Sequence, residues 1–185
     1  MLTKIVAHEQ EQLPELARSI LQLIVDQLHD TMARVREIEV RLTRWHRQSK
    51  CSQLLATVPG IGIMGASAIA ATVTDPSLFR SGREFAAWLG MTPRQNSSGG
   101  KERLGRTSKR GDKYIRSLLI AGVVAVLRHA RNRLTRDGEW VRALLARKPT
   151  KLTPVALANK TARIVWAVMM RGDGYRAKQV LGHAA

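Results

Sequence analysis

The sequence predicts a mainly α protein, with a long N-terminal coiled-coil-like helix in residues 1–50 and a small helical domain with a basic loop in residues 51–185. Three observations predict it. Between Glu11 and Lys50 the chain has no glycine and one proline, Pro14, which a first helical turn accommodates. Aromatic residues make up 4% of a chain that is 44% apolar, so Leu, Ile, Val, Ala and Met must fill the core, which favours closely packed helices. No alternating run is long enough to read as a convincing strand.

The first helix carries Leu21, Ile24, Leu28, Met32, Val35, Ile38, Leu42 and Trp45 at gaps of 3, 4, 4, 3, 3, 4 and 3. That spacing averages near the coiled-coil period, so the helix presents an apolar seam. The seam suits a partner helix, and homo-oligomer formation through the N-terminal helix is the expectation. Packing back on the same domain is the alternative.

A hinge is expected at Ser49–Ser52. A helix-hairpin-helix-like element follows over residues 54–73, with Pro59, Gly60, Ile61 and Gly62 at its corner and a run of small residues after it. "SGREFAAWLG" (Ser81–Gly90) predicts a helix with Ser81 as N-cap, Glu84 completing a capping box and Gly90 ending it. Residues 91–111 read as a basic loop or loose hairpin turning at "NSSGG". Helices then fill residues 112–171. Asp112 caps the first of these, whose core face holds Ile115, Leu118, Leu119, Gly122, Val126 and Leu127. "TRDGEW" breaks it, a short helix runs from about Glu139 to Ala146, and Thr153 and Pro154 open the last as N-cap and first residue.

Charge narrows the function. Lysine and arginine outnumber aspartate and glutamate by 31 to 14, giving +17 and a pI near 11.4. Residues 1–50 hold 8 basic and 7 acidic side chains, and residues 51–185 hold 23 and 7. A surface this basic meets a polyanion, and nucleic acid is the commonest. Cys51 is the only cysteine, so an intrachain disulfide and a cysteine zinc cluster are excluded. The five histidines are scattered and read as ordinary helix and tail residues. No apolar run approaches a membrane span, and the N-terminus lacks a signal-peptide pattern, so a cytoplasmic location is expected.

Two segments carry candidate chemistry. At the glycine corner, Gly60 and Gly62 allow close backbone approach, and the N–H groups around Ile61 and Gly62 open a helix whose positive end favours phosphate. Such a contact positions a backbone without reading bases. The second segment surrounds Ser108. Residues 94–116 carry Arg94, Lys101, Arg103, Arg106, Lys109, Arg110, Lys113 and Arg116 against Glu102 and Asp112. Clustered cations would lower the pKa of a hydroxyl, hold a phosphodiester and stabilise a pentavalent transition state. A solvated basic loop that merely grips backbone would look similar.

In order, the chain shows a coiled-coil helix, "VPGIGIMGASAIA", "FRSGREFAAWLGMTPRQNSSG" and "GRTSKRGDKYIRSLL". Over roughly residues 15–176 it resembles the C-terminal transposase (Tnp) domain of the insertion-sequence one-hundred-and-ten family, the bridge-RNA-guided DNA recombinases. The resemblance implies DNA strand transfer by a nucleophilic serine in an S-K-x-G segment, here Ser108 within Ser108-Lys109-Arg110-Gly111. It implies DNA, a guide (bridge) RNA and further copies of the chain as partners. It also implies a RuvC-like domain whose four acidic residues bind magnesium. No part of this sequence corresponds to that domain, since Glu9, Glu11 and Glu15 lie too close together to replace it. The expectation is therefore an enzyme portion that is incomplete alone. The alternative is a non-catalytic helix-hairpin-helix module that binds nucleic acid. The expected nucleic-acid contacts, inferred from charge and backbone, are Gly60, Ile61, Gly62, Arg94, Arg103, Arg106, Lys109, Arg110, Lys113 and Arg116.

Overall fold

The computed structural model describes residues 14–95, 104–108, 110–130, 143 and 152–176. Six α-helices and one short hairpin make up the described elements: α1 (Glu15–Gln48), α2 (Lys50–Ala56), α3 (Ile63–Thr72), α4 (Gly82–Trp88), β1 (Pro93–Gln95), β2 (Leu104–Thr107), α5 (Lys113–Ala130) and α6 (Thr153–Arg171). A 3-10 turn at Pro76–Leu78 lies between α3 and α4. The chain divides into two compact units, Met1–Trp45 and His46–Ala185.

The first unit is described by α1. Of its residues only Val25 is buried. Ile24, Val35, Ile38 and Trp45 on the predicted seam are 49%, 48%, 64% and 41% exposed. Leu21, Leu28 and Leu42 are half-buried.

The second unit is built on α6. Its buried face, including Leu157, Ala158, Thr161, Ala162, Val165 and Val168, recurs at helical spacing and receives α2, α4 and α5. The small residues Ala158 and Ala162 let those helices approach closely. Phe85 is wholly buried and sits with Phe79 and Trp88 in an aromatic trio, Phe79 meeting Phe85 edge-on at 5.1 Å.

Local chemistry sets the ends of these helices. The expected hinge at Ser49–Ser52 is instead a single-residue break. Ser49 leaves α1 in extended backbone and its Oγ accepts from Ser52 N–H, so α2 begins at once and Ser52 lies inside it. Ser81 Oγ accepts from Glu84 N–H, and the Glu84 carboxylate accepts from Arg80 N–H, one residue before the cap. The Gly90 and Met91 N–H groups donate to the carbonyls of Ala87 and Ala86, a Schellman ending. Asp112 Oδ1 accepts from Ile115 N–H, so Asp112 caps α5 as its sequence predicts. The start of α6 differs by one position. Leu152 is the N-cap and Thr153 is already helical, because the Thr153 side chain is buried rather than turned back onto its own helix, and its Oγ1 finds no partner among the described residues. The short helix expected at 139–146 and the "NSSGG" turn lie outside the described residues.

Residues 91–111 contain a true antiparallel pair, with Pro93 opposite Thr107, Gln95 opposite Leu104 and an irregularity between them. Strands of three and four residues carry too little pattern to be seen in a sequence.

Candidate nucleic-acid interface

Ser108 follows β2 directly. Its N–H donates to the Thr92 carbonyl at 2.9 Å, extending the ladder by one bond and fixing where the serine stands. The residue is half-buried and lies outside the hydrophobic core. Beyond it, Arg110 is exposed and Gly111 adopts φ +96°. A Cβ on Gly111 would fall on the carbonyl oxygen of Trp88, the last residue of α4. Only glycine lets the loop press against that helix end and still turn into α5. Ser108 thus stands where the hairpin, the end of α4 and the start of α5 converge.

The charges around this junction divide into two kinds. Arg110 and Lys113 are exposed, and the positive end of α5 adds to their field. The Asp112 carboxylate is committed to capping. Arg116, expected as a nucleic-acid contact, is half-buried, and its Nη1 donates to the Leu89 carbonyl at 3.0 Å. It ties α5 to the C-cap of α4, so part of its guanidinium is structural. Arg94 and Arg106 lie in β1 and β2, but their side chains are outside the described residues, as are Arg103 and Lys109 altogether.

The glycine corner divides its three candidates. Gly60 adopts φ +87°, and its backbone meets that of Gly122 in α5. Ile61 is buried in the core and its N–H donates to the Val58 carbonyl at 3.0 Å. The amide of Ile61 is therefore engaged inside the turn, and its apolar side chain draws the residue inward. Gly62 is different. It is exposed, caps α3 with no side-chain hydrogen bond, and a Cβ there would meet nothing within 4 Å. The first turn of α3 is the part of the corner open to an anion.

Sequence reasoning overlooked three features. Tyr114 is 57% exposed beside Lys113, and an aromatic face among cations suits base stacking. The signal available was a solvent-side aromatic one residue into a basic helix. A buried polar string joins His46, Ser52 and Ser67, with Ser52 Oγ 2.7 Å from His46 Nδ1 and 3.3 Å from Ser67 Oγ. Ser52 is fully buried, so this string is structural, and His46 is not the ordinary helix residue its isolation suggested. Cys51 borders a cleft of about 240 Å³ lined by Lys50, Leu54, Val168, Met169 and Gly172. Partial burial pushes its thiol pKa up, which disfavours a thiolate nucleophile.

Among the described residues no group of three or more His, Cys, Asp or Glu side chains is gathered to hold a metal ion, and no helix is long and apolar enough to cross a membrane.

Residues 52–138 match the family model described as "Transposase IS116/IS110/IS902 family". The chain is 44% identical over 176 residues to the "Probable family 20 transposase" of Pseudomonas aeruginosa, covering 95% of this chain and 52% of that protein. It is 35% identical over 175 residues to the "Transposase for insertion sequence element IS1111A" of Coxiella burnetii, covering 95% and 48%. It is 35% identical over 164 residues to the "Transposase for insertion sequence element IS1328" of Yersinia enterocolitica, covering 89% and 49%. The chain spans about half the length of these curated relatives.

Proposed function

We infer that this chain, with a Transposase IS116/IS110/IS902 family domain at residues 52–138, is the C-terminal portion of an insertion-sequence transposase that transfers DNA strands through Ser108. One observation carries the reading. Ser108 lies within the matched segment and is held at the mouth of α5 by its bond to Thr92, with Arg110 and Lys113 exposed on either side of the cap.

The chemistry is a phosphoryl transfer. The Ser108 Oγ forms a bond to phosphorus while the bond from phosphorus to one sugar oxygen breaks. The serine proton leaves to a base, and the departing sugar oxygen is protonated. The DNA end then remains esterified to the protein until a second sugar hydroxyl displaces the serine. Arg110 and Lys113 neutralise the phosphate and the charge that develops on its equatorial oxygens. Among the described residues no set of side chains fits a magnesium site. A separate RuvC-like portion would supply that ion and complete the enzyme.

The partners follow from the same reading. DNA backbone meets the open turn of α3 and the Ser108 junction, and an unpaired base stacks on Tyr114. A guide (bridge) RNA shares the basic surface, and α1 joins copies of the chain to one another.

The test mixes the chain, supplemented with the RuvC-like portion, with donor DNA, guide RNA and magnesium. A covalent protein–DNA adduct is expected that disappears in Ser108→Ala. Persistence of the adduct in that variant, or its absence with both proteins, overturns the assignment.

A further inference from the structure

We propose that the α1 seam binds copies of this chain running parallel, with Arg34 of one helix facing Glu39 of the next. The proposal rests on the self-association reading above and adds the direction and register of the helices.

Counting heptads from Leu21 places Leu21, Leu28, Val35 and Leu42 at the first core position, a, and Ile24, Thr31, Ile38 and Trp45 at the second, d; Met32, a member of the apolar seam, falls at e beside Thr31. Along this seam Ile24, Val35, Ile38 and Trp45 are exposed, and Leu21, Leu28 and Leu42 are half-buried. What decides the occupant is the pair of charges beside the seam. Arg34 falls at the position preceding a, called g, and Glu39 at the position following d, called e, five residues later. In a parallel coiled coil, g of one strand faces the following e of its neighbour. Among the described residues neither Arg34 nor Glu39 makes an ion pair within the chain, whereas Glu37 and Arg41 on the same helix pair with each other.

The antiparallel arrangement fails on the same residues. With every a opposite a d, Leu21 would lie against Trp45 and Leu28 against Ile38, and g would meet g. Arg34 would then face Arg34 of the other copy near the two-fold axis. Asp26 and Asp30 give α1 an acidic first half, which would favour antiparallel strands. They fall at the outer f and c positions, however, where solvent screens them. The close contacts at g and e outweigh that gradient.

Leucine at three of the four a positions with isoleucine at two of the d positions favours bundles of more than two strands, and the Arg34–Glu39 contact recurs around any parallel bundle. The surface therefore fits self-assembly without fixing the strand number at two.

The experiment uses the full chain with Cys51→Ser, so that the only thiols are introduced ones. Ile38→Cys is expected to form a disulfide-linked species of twice the chain mass under mild oxidation, since d meets d only when strands run parallel. Glu39→Arg is expected to weaken self-association by about tenfold in sedimentation equilibrium, and the swap Arg34→Glu with Glu39→Arg to restore it. A cross-link that needs Leu28→Cys together with Ile38→Cys would mean antiparallel strands and overturn the direction while leaving self-association intact. A monomer at all concentrations would overturn self-association itself. The exposure of Ile38 and Glu39 makes misfolding of these variants a poor explanation of either result.

Discussion

The backbones of Gly60 and Gly122 touch. A Cβ on Gly122 would fall on the carbonyl oxygen of Gly60, and a Cβ on Gly60 would stand 3.0 Å from both the Gly122 carbonyl oxygen and a methyl of Val126. This contact joins the glycine corner after α2 to the middle of α5, and so joins the two segments that the sequence marks as separate nucleic-acid elements. Gly122→Ala must push the corner away from the core. The expected loss is about 3 kcal/mol, at the upper end of overpacking. In a chain of this size that lowers the melting temperature by roughly 6–12 °C. Calorimetry checks it, and a change below about 2 °C would show that the two backbones separate without strain.

The corner also offers a substitution that separates stability from binding. Gly62 caps α3 without a side-chain acceptor, in extended backbone (φ −84°, ψ 179°) that any residue adopts. Gly62→Ser supplies an oxygen to the open N–H groups of the first turn, and should leave stability unchanged or raise it by a few tenths of a kcal/mol. If phosphate uses those same N–H groups, the serine competes with it. The variant should melt no lower than the parent and bind duplex DNA several-fold more weakly. Unchanged binding measured by fluorescence anisotropy would remove the corner from the interface.

The basic residues around Ser108 should divide in the same way. Arg110→Ala and Lys113→Ala are exposed changes, expected to leave the melting temperature within a degree or so of the parent while each lowers the salt dependence of DNA binding by about one counterion. Arg116→Ala breaks the bond to the carbonyl of Leu89, a fully buried residue, and takes away that oxygen's guanidinium partner. It should cost about 1–2 kcal/mol of stability. Titrations of DNA affinity against salt, paired with urea unfolding, separate the groups. Equal destabilisation by all three would mean that Arg116 carries no structural load.

What the sequence revealed, it revealed through short-range chemistry. The long helix α1, the Ser81 cap, the Gly90 ending and the Asp112 cap each depend on residues within a turn or two of one another, so their patterns survive in the linear order. The misses share the opposite property. Arg116 reads as one more cation until α5 is laid against Leu89, 27 residues earlier. Ile61 reads as a member of an exposed turn until its side chain is counted into the core. Ser52 and Ser67 read as small polar residues, since nothing local shows that they meet. The Ser108 junction was legible as a set of residue types. Its geometry was not, because it depends on the Thr92 bond and on the contact between Gly111 and Trp88.

The string from His46 to Ser67 gives the last prediction, and its rank order is the test. Ser52 is fully buried and stands between the other two. The string is satisfied when Ser67 donates to Ser52 and Ser52 donates to His46 Nδ1. Ser52→Ala removes the middle member and leaves a ring nitrogen and a buried hydroxyl without partners, so a loss of about 2 kcal/mol is expected. Ser67→Ala leaves the shorter Ser52–His46 bond in place and removes only the 3.3 Å contact, so it should lose less than about 1 kcal/mol. The double variant should lose less than the two single losses added together, because once Ser52 is gone the Ser67 hydroxyl has no bond left to lose. Urea unfolding of the three proteins measures all of this. Equal losses in the two single variants, or strict additivity in the double, would show that the serines act independently and that no string holds the start of α2 to α3.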